Sequence, residues 1–329
     1  MDILEMLLQQ RLRGAAGGGG NSGGGGEGEV DPLTASFIGV LQGDMANPIL
    51  PNGVERIKSY AFFNDINLRL PILPNSLNRI GEYAFKGCTN LALTSLPAGV
   101  TDIRDYAFQH CTNLTWTSLP DGVTSLCTGA FNGCTNLALT SLPDELTHID
   151  TSAFQGCKSL ALTSLPDGLT NIGTSAFEGC TGIESMLLPN GVKTINNYAF
   201  RNCTGLVSVS LPEGTAYPSN GVFYGCTSLK YVSLPDSLKT INSMFFYGCT
   251  SLESMSFPAG LLTISNDAFN GCTSLKELTF KGKPSTINST AFKNCTNLKT
   301  INVPWAEGEV ANAPWGATSA TINYNYTEG

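Results

Sequence analysis

Two histidines among 329 residues leave little for proton-transfer chemistry at neutral pH. Neither His110 nor His148 sits in a recognisable Ser-His-Asp or Cys-His set, so enzymatic activity is not expected. Charged side chains are scarce too, at 13%, with 26 acidic against 18 basic. The resulting net charge of −8 argues against a general phosphate-binding surface, and so against nucleic acid as a partner. No stretch approaches the roughly 20 apolar residues of a membrane span, and membrane insertion is not expected. The start of the chain, "MDILEMLLQQRLRG", carries Asp2 and Glu5 where a secretory leader would be basic. The C-x-x-C pairs that hold zinc are missing although cysteine itself is plentiful, so neither metal nor cofactor is expected.

What the sequence does have is a period. Cys88, Cys111, Cys134, Cys157, Cys180, Cys203, Cys226, Cys249, Cys272 and Cys295 follow one another every 23 residues. A phenylalanine column keeps the same step from Phe62 to Phe292 and adds one repeat, with Asp65 in the first cysteine position, which makes eleven. A fixed period of this length means a stack of identical supersecondary units rather than a chain folded around one cleft. The invariant phenylalanine reads as an internal spine in which each ring packs on its neighbours, at roughly 0.5–1.5 kcal/mol per contact beyond area burial. The regular cysteines read as buried thiols acting as small apolar residues. Cys127 stands outside the column and is expected to be partly accessible.

The residue before each cysteine is Gly, Asn or His, the types enriched where the backbone takes positive φ. A left-handed residue closing a short helical turn is expected there, which makes His110 a backbone device. After the cysteine, apolar residues at the third, sixth and eighth positions, as in Leu206, Val209 and Leu211, give the period-two signature of a strand with one buried face. A proline then ends the strand, "PDGV" or a relative supplies a turn, and an isoleucine or leucine six residues on adds a second buried layer. In the eighth repeat, "EGTAYPSNGVF" puts Pro218 where an isoleucine belongs, so a local bulge is expected.

Strings such as "LPDGLTNIGTSAFEGCTGI" and "LPNGVKTINNYAFRNCTGL" resemble the BspA-like, or Treponema pallidum-type, leucine-rich repeats over residues 50–303. The resemblance implies a leucine-rich-repeat solenoid: a β-rich right-handed coil with a parallel concave sheet and short helical turns on the convex side. It also implies a non-enzymatic role in surface attachment and in protein or matrix binding; the partner expected for this chain is a protein or glycan on a cell surface. The tail, residues 304–329, resembles the segment that closes such arrays, and Trp305 and Trp315 are expected to cover the end of the spine.

Residues 1–13 read as an amphipathic helix with Ile3, Leu4, Leu7, Leu8 and Leu12 on one stripe. Such a short helix is marginal alone, so it is expected to bind another copy of the chain or a larger assembly. Residues 14–30 form a Gly-rich flexible linker and residues 31–49 the N-terminal cap. A helix followed by polyglycine is similar to the layout of gut-phage structural or tail-associated proteins, which together with the leader-less start points to exposure on a virion or a cell. A cell-surface adhesin, an intracellular scaffold and a structural spacer are the alternatives.

One pair of columns changes character along the array. The fifth position after the cysteine is Leu70, Leu93, Trp116, Leu139 and Leu162, then Ser185, Ser208, Tyr231, Ser254, Glu277 and Thr300. The sixth changes in step, from Thr94, Thr117, Thr140 and Thr163 to Met186, Val209, Val232, Met255, Leu278 and Ile301. Either the early half exposes an aliphatic stripe, or its strands shift by one residue so that the fifth column turns inward. The shift is the simpler reading, because one step swaps both columns together. The candidate ligand-binding residues on the concave face are Trp116, Tyr231, Ser118, Ser208, Ser233 and Glu277.

Overall fold

The computed structural model describes residues 47–50 and 52–327. The expected anchoring helix, linker and most of the N-terminal cap concern residues outside that range. Within it the chain winds into a parallel-strand β-solenoid of about twelve turns.

Short strands stack coil on coil in two ladders. The first holds the isoleucine column: Arg56–Ile57 (β1), Arg79–Ile80 (β2), Asp102–Ile103 (β3), Ser125–Leu126 (β4), His148–Ile149 (β5), Asn171–Ile172 (β6), Thr194–Ile195 (β8), Thr240–Ile241 (β11), Thr263–Ile264 (β13) and Thr286–Ile287 (β15). The second holds the serine-rich segments: Ser185–Leu187 (β7), Ser208–Ser210 (β9), Tyr231–Ser233 (β10), Ser254–Phe257 (β12), Glu277–Phe280 (β14), Thr300–Asn302 (β16) and Thr321–Asn323 (β17). Pairing is parallel throughout, and between repeats the partners are 23 residues apart, as in Ile57 with Ile80 and Val209 with Val232. β17 extends the second ladder beyond the last repeat, pairing Ile301 with Ile322.

The second ladder begins only at β7. In the earlier coils the fifth column is buried, with Leu70, Leu93, Leu139 and Leu162 all 2% exposed or less, while Thr94, Thr117, Thr140 and Thr163 face solvent. The paired exchange of columns is therefore an inward turn of the fifth position. It is not a slipped strand, however, because no strand forms over these segments and only scattered bonds such as Ala138 N–H to Trp116 O remain.

Between the two ladders the Ala-Phe segment forms turns, and the described residues contain no helix, so the short helical turns implied by the resemblance are absent. Alternating backbone bonds are the reason. In one coil the N–H groups of Tyr83, Phe85 and Gly87 donate to the carbonyls of Asp105, Ala107 and Gln109 in the next, at 2.7–2.9 Å. The intervening N–H groups of Ala84, Lys86 and Cys88 close local turns three residues back. A helix would direct every N–H along one axis, whereas this segment sends every second one across the stack.

That alternation needs two left-handed residues per coil. The position before each cysteine has φ between 55° and 80° in all eleven coils, His110 and Asn202 included. A second such column lies two residues before phenylalanine and runs from Tyr60 to Asp267, largely in tyrosine and serine. There the strain of roughly 1–2 kcal/mol per residue is offset by the cross-coil bond and, at Tyr60, Tyr83 and Tyr106, by ring stacking at 4.9–5.0 Å.

The phenylalanine spine runs unbroken through the core. Successive rings from Phe62 to Phe292 lie 5.1–5.7 Å apart with planes within 28° of parallel. Beside it the ten column thiols are buried, each donating its S–H to the carbonyl of the phenylalanine one coil back at 2.9–3.2 Å. The same carbonyl accepts the backbone N–H of its own coil's cysteine, as Phe85 O does from Cys88 N. The thiol is thus a hydrogen-bond donor as well as a small apolar filler. At the far end Trp305 and Trp315 are buried against Phe280, and Trp315 O accepts the N–H of Phe292 in place of a further coil.

Candidate functional site

The outward face of the second ladder carries the candidate site. Along a strand alternate residues point to opposite faces, so Met186, Val209 and Met255 enter the core while Ser185, Leu187, Ser208, Ser210, Tyr231, Ser233, Ser254 and Ser256 face out. Four of these strands, β7, β9, β10 and β12, line a shallow groove of about 600 Å³, with Lys230 on its rim.

Both ladders are interrupted at this level. The first has no strand between β8 and β11, where Pro218 stands in the isoleucine position, and the second is not bonded between β10 and β12. The proline carbonyl instead accepts the side-chain amide of Asn242 at 2.6 Å, and Tyr217 beside it is exposed. The groove therefore spans the least regular part of the stack.

Its chemistry is set by what the side chains leave unbonded. Thr140, Thr147, Thr170 and Thr250 elsewhere on the rod spend their hydroxyls on a carbonyl one coil back. Among the described residues, none bonds the hydroxyl of any of the six groove serines, at positions 185, 208, 210, 233, 254 and 256. Two large apolar side chains stand among them, Tyr231 at 69% and Leu187 at 61% exposure. Lys230 makes no ion pair among the described residues, whereas Lys276 is neutralised by Glu253 at 3.2 Å.

Of the residues singled out from the sequence, Tyr231, Ser208 and Ser233 meet in this groove. Ser118 is exposed but belongs to the early coils, away from it, and Glu277 is exposed on β14, accepting a bond from Asn302 at 2.8 Å. Trp116 is not a surface anchor: it is 2% exposed, packs edge-on against Phe108 and Phe131, and donates its indole N–H to Leu93 O at 2.7 Å. The inward turn of the fifth column in the early coils buries it. Leu187 and Lys230 were missed. The signal for Leu187 was present, since it stands in a column that is otherwise serine from Ser95 to Ser256.

The histidines take no part. His110 is a left-handed turn residue, and His148, on β5, meets the hydroxyl of Thr147 at 2.9 Å. Among the described residues no group of three or more His, Cys, Asp or Glu is placed to hold a metal ion, and no helix is long and apolar enough to cross a membrane.

Comparison with known proteins places this architecture. Among solved structures, a leucine rich cell surface protein from Faecalibacterium prausnitzii shares 30% identity over 81% of this chain and 79% of its own, with a TM-score of 0.51. A leucine-rich repeat protein from Bacteroides ovatus shares 27% identity over 83% and 82%, with a TM-score of 0.62. No curated protein matches. The family profile of the BspA type leucine rich repeat region matches residues 42–161, 128–220 and 205–312. The period, the phenylalanine spine and these matches together make the chain a member of the BspA type leucine-rich repeat family.

Proposed function

We propose that the chain is a non-enzymatic recognition module that holds a surface-borne ligand, protein or glycan, in the groove over β7, β9, β10 and β12. The observation that carries this reading is a pair of exposed apolar side chains, Leu187 and Tyr231, set among six serine hydroxyls that bond no other described residue, on four parallel strands. Exposed aromatic anchors flanked by free polar groups are what specific binding surfaces use. The similarity to a leucine rich cell surface protein favours an exposed setting. On a cell or a virion the rod would be held through residues 1–13, with Ile3, Leu4, Leu7, Leu8 and Leu12 packing on a second copy or a larger particle.

Arrays of immobilised surface proteins and glycans, probed with the intact chain and with Tyr231→Ala and Leu187→Ser, test the reading. Each substitution replaces an exposed side chain, so folding should be retained. Loss of binding by about tenfold or more in both variants is expected for anchors. Unchanged binding in both would place recognition elsewhere on the rod. Removal of residues 1–13 should abolish association with copies or particles while leaving ligand binding intact.

A further inference from the structure

The groove's own chemistry narrows the ligand, an inference that rests on the reading just given. A protein partner is held mainly by buried aromatic, arginine and aliphatic anchors, with water excluded around them. Here only two side chains can serve so, and serine, a residue depleted at the core of protein interfaces, makes up most of the remainder. The six free hydroxyls each offer one donor and two acceptor lone pairs, arranged in two rows that follow the coil repeat across β7, β9, β10 and β12. A sugar chain presents the matching set: rows of hydroxyls that donate and accept, and C–H faces that lie flat on an aromatic ring such as that of Tyr231. Charge adds one more constraint. Among the residues lining the groove no carboxylate appears, and Lys230 is the one charged group, without an ion-pair partner. An unmatched ammonium beside a neutral hydroxyl bed favours a ligand carrying isolated negative charge.

We infer that the groove binds an acidic oligosaccharide, a sugar chain bearing carboxylates, with Tyr231 under a sugar ring and Lys230 against a carboxylate. The serine hydroxyls take the sugar hydroxyls directly or through water. Leu187 closes one end against an apolar substituent such as a methyl or acetyl group.

Isothermal titration of the full chain against oligogalacturonate, hyaluronan oligosaccharides, cello-oligosaccharides and an extended serine-rich peptide reads this out. Binding to at least one uronate chain is expected, weakened about tenfold by Tyr231→Ala and by the paired change Ser208→Ala with Ser210→Ala. Lys230→Gln should weaken it several-fold and remove most of its salt dependence. Because Lys230 and Tyr231 are exposed, circular dichroism of each variant should match that of the parent. Equal binding of cello-oligosaccharides and uronates, or indifference to Lys230→Gln, overturns the acidic assignment. Failure of every sugar with binding of the serine-rich peptide that Tyr231→Ala abolishes overturns the carbohydrate class but keeps the groove as the recognition surface. Failure of all ligands to respond to Tyr231→Ala overturns both.

Discussion

Mild alkali should unwind this rod. The eight consecutive thiols from Cys111 to Cys272 are all pushed up in pKa, burial being the main cause in each, with Cys226 reaching about 12. In the unfolded chain the same thiols ionise near about 8.5. Above that value the native state holds more protons than the unfolded one, so unfolding free energy falls as pH rises. The contribution is fully present below about pH 8 and is lost progressively up to the folded pKa values. At about pH 9.5 each thiol contributes a loss of about 1 kcal/mol, and the set together on the order of 10 kcal/mol. That is comparable with the whole stability of an ordinary domain, about 5–15 kcal/mol. Urea unfolding followed by tryptophan emission, in reducing buffer at steps between about pH 7 and 10, measures it. The triple variant Cys134→Ala, Cys157→Ala, Cys180→Ala should lose about a third of the pH slope, since it removes three of the nine raised thiols when Cys127 is counted. A urea midpoint that stays level to about pH 9.5, or an identical slope in the triple variant, would refute the linkage.

Three further perturbations probe the coil itself. Phe154→Ala removes a ring stacked at 5.7 Å on Phe131 and 5.5 Å on Phe177; urea unfolding should show a loss of about 3–5 kcal/mol. Gly156→Ala meets only ordinary van der Waals contact, its nearest neighbour being Gly133 Cα at 3.7 Å, so any cost reports the φ of +76°. Thermal unfolding should register a loss of about 1–2 kcal/mol, with Gly156→Asn costing clearly less because asparagine tolerates that conformation. Cys127 is half-buried with its pKa pushed up to about 11 by burial, then by Asp105 and Asp150. Mass spectrometry after iodoacetamide treatment at neutral pH should find Cys127 modified first and slowly, and the ten column thiols untouched until the chain unfolds.

The period made most of the fold legible. Phenylalanine and cysteine columns without a gap, and Gly, Asn or His before each cysteine, specify a repeated backbone, and the structure places a left-handed residue at every one of those positions. The second left-handed column escaped notice because tyrosine and serine fill it, residues whose type does not announce positive φ. The turn conformation of the Ala-Phe segment escaped for a related reason. It depends on hydrogen bonds to the next coil, 22 residues away, which local sequence does not display. At the candidate site, Tyr231 was legible as an aromatic in the polar later half of its column. Trp116 misled because the fifth column points outward where a strand forms and inward where none does. The groove itself arises where both ladders break, near Pro218, and its volume belongs to no single repeat.

Distances along one exposed column test the central claim, that each 23-residue module makes one turn and returns to the same place. Spectroscopic labels introduced as unnatural side chains at Thr89, Thr181 and Thr273, which are four coils apart, leave the native thiols untouched. At roughly 4.8 Å per coil the account gives about 19 Å for Thr89 to Thr181, the same for Thr181 to Thr273, and about 38 Å for Thr89 to Thr273. Unequal halves, or a long distance well short of their sum, would contradict it.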